Sequence, residues 1–122
     1  MTRTACVFPG QGSQTVGMLK ELADDFPVVT DTFKEASDAL GYDLWELVQH
    51  DEEGRLNETH ITQPALLTAS VAIWRILQEQ GLQVDYLAGH SLGEYSALVC
   101  GGAMAFTDAV KLVESRGKYM QE

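Results

Sequence analysis

The stretch Ala88-Gly89-His90-Ser91-Leu92-Gly93-Glu94-Tyr95 constrains the fold more than any other part of the chain. An apolar run stops at Gly89, a helix-forming sequence starts at Leu92, and Ser91 stands at the break. Gly-x-Ser-x-Gly is the spacing that a nucleophile elbow requires, because small residues on either side let the backbone double back without a Cβ clash. Such a turn lifts Ser91 Oγ above the carboxyl end of a strand, over the amino end of the next helix. Backbone N–H groups there can receive a developing oxyanion. A strand-to-helix turn without chemistry satisfies the same five residues, since short patterns recur by chance. The rest of the chain has to decide between the two.

The whole chain bounds the choice. Its 122 residues amount to one domain, and 45% hydrophobic content with mean hydropathy near zero fits a globular protein. Eight basic residues against 18 acidic ones give a net charge of −10, which argues against a protein that tracks nucleic-acid phosphates. No apolar run is long enough to span a bilayer, and the opening Met1 to Pro9 is too short for a signal peptide. Cys6, in an expected strand, and Cys100, in an expected helix, read as small buried hydrophobes. The expected location is the cytoplasm, with no membrane and no nucleic acid among the partners.

Residues 3–8 read as a buried strand ended by Pro9-Gly10, followed by the glycine loop Gly10-Gln11-Gly12-Ser13-Gln14. Helical patterns follow from about Met18 to Asp25 and from Thr30-Asp31 to Leu40, with Pro27 and Gly41 as their stops. Leu44 to Val48 suggests a short helix, and His50 to Gly54 an acidic loop. The next helix is expected from Pro64 to about Gln80; its apolar residues cover more than one face, so it should be central and heavily buried. Val84 to Gly89 is the second expected strand, Leu92 to about Cys100 the elbow helix, and a last helix capped by Thr107 runs to the end. Strand, helices, strand, helix implies an α/β unit with parallel strands and reactive loops at their carboxyl ends. That last helix has no stop signal, and two strands are few for a parallel sheet, so the chain reads as cut off.

An elbow serine needs two N–H donors for the oxyanion. One belongs to the residue after the nucleophile, here Leu92, and the other to a separate loop. Gly10 and Gly12 let backbone approach a ligand closely, so Gln11 is the candidate second donor, although a plain turn explains the same glycines. Arg116 is expected on an apolar stripe of the last helix with Ala109, Leu112, Val113 and Met120, opposite Lys111, Glu114, Ser115 and Lys118. Its planar fork suits a carboxylate, and a snorkelling side chain or an internal ion pair suits it equally. No histidine offers itself as the base: side chains neighbouring an elbow serine diverge, so His90 is not expected to reach Ser91 Oγ, His50 borders the acidic loop, and His60 precedes the central helix.

Gly10-Gln11-Gly12-Ser13-Gln14 after a first strand, Gln63-Pro64-Ala65, Gly89 to Ala97, and Arg116 within Leu112 to Gln121 resemble the malonyl-CoA:acyl carrier protein transacylases of the bacterial, stand-alone type. The likeness runs from Met1 to Glu122. It implies a ping-pong transfer in which Ser91 takes malonate from malonyl-CoA as an ester and the phosphopantetheine thiol of acyl carrier protein removes it. Ser91 is then the nucleophile, Gln11 and Leu92 the oxyanion donors, Arg116 the anchor of the malonyl carboxylate, and Gln63 a pocket residue; no metal and no cofactor are implied. The expected fold is a parallel-sheet, α/β-hydrolase-like acyltransferase core, with 1–122 as the amino-terminal part of its α/β domain. It is incomplete, because members of the family are longer, carry their histidine further on and add a ferredoxin-like subdomain. Losing one member of a serine–histidine unit costs on the order of 10⁴- to 10⁶-fold in rate, so the chain alone should be at best a feeble transacylase. Two other readings stay open: a serine hydrolase with the same elbow and no use for Arg116, and a non-catalytic piece that self-associates through an open sheet edge.

Overall fold

The computed structural model describes residues 5–8, 19–51, 54–81, 86–89 and 92–121, with side-chain surroundings over 19–51, 54–81 and 95–119. In chain order these form β1 (Ala5–Phe8), α1 (Lys20–Asp25), α2 (Val28–Leu40), α3 (Leu44–His50), α4 (Thr59–Glu79), β2 (Tyr86–Gly89), α5 (Leu92–Cys100) and α6 (Phe106–Gln121).

Local chemistry sets most of the boundaries. Pro27 adopts helical backbone angles as the cap of α2, so the helix starts at Val28, ahead of the expected Thr30. Gly41 ends α2 at φ +86, a left-handed angle that glycine takes without strain. Asp43 caps α3, its Oδ1 accepting the Glu46 N–H at 3.0 Å. After α3, Asp51 Oδ1 accepts the N–H groups of Arg55 at 2.6 Å and Leu56 at 3.1 Å. α6 begins at Phe106, one residue before the expected cap Thr107.

α4 departs further from expectation. It begins at Thr59, so Pro64 lies inside the helix instead of opening it. Every residue from Ile61 to Ala72 is buried, which makes α4 the axis of the molecule. α2, α5 and α6 all pack on it, α6 most extensively. Phe33 of α2, Leu44 of α3, Leu67 of α4 and Val110 and Val113 of α6 meet in one apolar cluster. Trp45 adds an edge-to-face contact with Phe33, their ring centroids 5.0 Å apart.

The expected parallel-sheet α/β-hydrolase-like core is therefore corrected. Each strand has four residues, and β1 and β2 make one two-stranded parallel ladder. Among the described side chains, every buried apolar residue except Leu56 belongs to a helix. A helix as long as α4, apolar on all sides, gathers neighbours around itself, whereas a parallel sheet forms a core only when several strands are covered on both faces. The body of the described structure is a helical packing, with the strand pair attached to α5.

Candidate active site

The two strands run in register, Ala5 beside Tyr86 and Phe8 beside Gly89, so their carboxyl ends stop level. β2 ends at Gly89 and α5 begins at Leu92, with His90 and Ser91 between them. Ser91, His90 and Gln11 lie outside the described residues. Leu92 is the first residue of α5, and its N–H is one of the first-turn donors that an α-helix leaves without an internal acceptor.

Arg116 and Gln63 are brought together although 53 positions separate them in the chain. Arg116 Nη1 donates to Gln63 Oε1 at 3.1 Å, across the seam between α6 and α4. Gln63 is 1% exposed, so its amide is a rigid acceptor. The guanidinium carbon also lies 5.6 Å from the centroid of the Tyr95 ring on α5, a cation–π distance. Three helices thus orient one guanidinium, and the helix that supplies the aromatic face is the one that starts at the Gly89–Leu92 break.

The apolar face of α6 differs from the expected stripe. Phe106, Ala109, Val110, Val113 and Gly117 are the residues turned inward, while Leu112 is 44% exposed. Arg116 stands at the border of that face, and with Leu112, Ser115 and Tyr119 it lines an open cavity of about 400 Å³. Met120, the last member of the expected stripe, falls outside the described side chains. At this border position Arg116 is half-buried without lying in the core, and its head reaches the Gln63 amide.

Residues the sequence reading passed over also bear on the site. In the sequence Tyr95 stands out only as part of the Gly89–Ala97 motif, and its place under Arg116 needs the α5–α6 packing. Gly117 sits where α6 crosses the first turn of α4, within contact of the His60 and Thr59 backbones. A lone glycine inside a helical pattern was the available signal, since such a glycine often marks close backbone approach. His60 lies in that first turn of α4, and His50, on α3, has its Nε2 3.9 Å from Glu46. No cluster of three or more metal-ligating side chains occurs among the described residues, and no helix there is long and apolar enough to cross a membrane.

Comparison with known proteins bears on the same residues. The chain is 65% identical, over its full length, to the malonyl CoA-acyl carrier protein transacylase of Salmonella typhimurium and spans 40% of that protein. It is 47% identical to the Bacillus subtilis protein of the same name, spanning 38% of it. Among solved structures, an acyl carrier protein S-malonyltransferase from Vibrio cholerae matches 99% of this chain, which covers 40% of that one, at a TM-score of 0.96 and 62% identity. A malonyl-transacylase solved in complex with its type II PKS acyl-carrier protein matches 98% of it, with 39% of that chain covered, at a TM-score of 0.95 and 64% identity. The chain thus spans about two fifths of the relatives it matches. The sequence model of the acyl transferase domain matches residues 5–122, and the chain belongs to the acyl transferase domain family.

Proposed function

We propose that this chain carries the acyl-binding part of a site that moves a malonyl group from malonyl-CoA to the phosphopantetheine thiol of acyl carrier protein. Ser91 Oγ attacks the thioester carbonyl, with the Leu92 and Gln11 N–H groups holding the oxyanion. The C–O bond forms as the C–S bond breaks, and the serine proton passes through a general base to the departing coenzyme A thiol. None of His50, His60 and His90 is proposed as that base. The carrier-protein thiol then attacks the malonyl ester, its proton returns to Ser91, and the serine is restored. The thioester supplies the activated acyl group, so the reading needs no cofactor or metal, and it sets the reaction in the cytoplasm.

One observation supports this reading above the others: Arg116 is oriented by Gln63 and backed by Tyr95 beside the start of α5. A fixed guanidinium fork can pair with a terminal carboxylate through two hydrogen bonds. That pair separates malonyl from neutral acyl groups, and holding the ester against an ionic partner helps keep water from the acyl carbon. A hydrolase acting on neutral esters has no use for it. The names of the relatives point to the same donor and acceptor.

Intact-mass measurement after incubation with malonyl-CoA tests the reading. With the general base supplied, a single malonyl adduct is expected on the wild-type protein and none on Ser91→Ala. An adduct that persists on Ser91→Ala would remove the serine from its role.

A further inference from the structure

Gly117 has no conformational reason to be glycine. It lies inside α6, and its φ is not among the left-handed ones. Space is the reason. A Cβ placed on Gly117 would lie 2.5 Å from His60 Cα, 2.8 Å from His60 N and 2.8 Å from Thr59 O. All three are backbone atoms of the first turn of α4, so no side chain can swing aside to make room. Carbon atoms in contact sit about 3.5–4.0 Å apart, so a methyl group would drive the two helices apart by about 1 Å at this point.

The residues on either side of that contact are those of the site. Arg116 precedes Gly117, and Gln63 follows His60 by three positions on the same face of α4. The 3.1 Å bond between Arg116 Nη1 and Gln63 Oε1 is already near the long end of the N–H···O range. A parting of about 1 Å takes it out of that range and lets the guanidinium plane turn.

We infer that Gly117 is a positioning residue for acyl selectivity: it lets α6 approach α4 closely enough for Gln63 to lock the Arg116 guanidinium in the plane that meets a terminal carboxylate. The inference rests on the proposed role of Arg116. It assigns to Gln63 the orientation of Arg116, in place of direct contact with substrate.

The test compares kcat/KM for malonyl-CoA with kcat/KM for acetyl-CoA in the intact protein, for wild type, Gly117→Ala, Arg116→Ala and the double variant. Gly117→Ala should lower the malonyl preference by about tenfold, the scale of one lost hydrogen bond to a charged group. Arg116→Ala should lower it further, and adding Gly117→Ala to Arg116→Ala should change the preference no more. A Gly117→Ala protein that loses both activities equally, with its preference intact while Arg116→Ala loses its own, overturns the inference and spares the anchor. An unchanged preference in Arg116→Ala overturns the anchor, and the inference with it. If Gly117→Ala does not fold, Gln63→Leu leaves the helix contact in place and removes the acceptor. Its preference should fall as well, and an unchanged preference overturns the inference.

Discussion

Two arginines of this molecule stand in closely similar frames and meet different partners. Arg75 of α4 lies with its guanidinium carbon 5.2 Å from the Phe106 ring; Arg116 of α6 lies 5.6 Å from the Tyr95 ring. Both reach across a helix seam to a side chain on another helix. At Arg75 the partners are the Glu35 carboxylate and Thr32 Oγ1, the latter at 3.0 Å, and both belong to α2. At Arg116 one hydrogen bond goes to the Gln63 amide, which is neutral. A carboxylate matched to a guanidinium closes a seam by satisfying charge. An amide holds the group in place while leaving its charge uncancelled by that bond. The ring beneath an arginine therefore says little about its role, and the chemistry of the acceptor says much.

The comparison breaks most sharply at Arg116. Replacing it with alanine should reduce the preference of the intact protein for malonyl-CoA over acetyl-CoA by about 100-fold, as expected when one partner of a desolvated charge pair is removed. Equal losses on the two substrates in a kcat/KM comparison would make Arg116 a second staple. Arg75→Ala should do the reverse. It should cost about 1–2 kcal/mol in chemical denaturation, because a half-exposed ion pair and a cation–π contact are each worth little alone. The malonyl preference of the folded protein should not change.

The smallest effect is expected at Tyr42, a buried polar group outside both frames. Its hydroxyl has no hydrogen-bond partner among the described residues. Burial pushes its pKa up from the ordinary 10.0, the Glu114 carboxylate adds to this, and Arg55 opposes it. The folded state thus binds the phenolic proton more tightly than the unfolded state does. The group's contribution is fully present below the unfolded value and is lost as pH rises above it. Tyr42→Phe should leave stability at neutral pH within about 1 kcal/mol of wild type, or slightly higher, since it deletes an unsatisfied hydroxyl. It should also flatten the alkaline arm of a stability–pH curve above pH 10.0.

How much of this was legible in the sequence depends on range. Gly41 as the end of α2, Gly89 as the end of β2, Leu92 to Cys100 as one helix and the burial of α4 all follow from neighbouring residues, and all stand in the structure. The start of α4 was misplaced because proline is a strong signal for a first turn, and packing on α6 and α2 carries the helix back past Pro64 to Thr59. The sheet-centred core was overestimated for a related reason. Strand identity is local, but the extent of a sheet depends on pairing between distant segments, and the helices surrounding α4 hold the apolar cluster. At the site, Arg116 and Gln63 were readable as residue types in a family pattern. The bond between them, the Tyr95 ring beneath and the space that Gly117 provides arise only where α4, α5 and α6 meet.

The central claim is that an acyl group bearing a carboxylate is captured on Ser91 because Arg116 reads that carboxylate. Peptide mapping of the intact protein after exposure to equal amounts of malonyl-CoA and acetyl-CoA tests it most directly. The account predicts malonyl predominating over acetyl on the peptide that contains Ser91, and loss of that predominance in Arg116→Ala but not in Arg75→Ala. Acetyl and malonyl in equal amounts on wild type, or the same loss in both arginine variants, would contradict it.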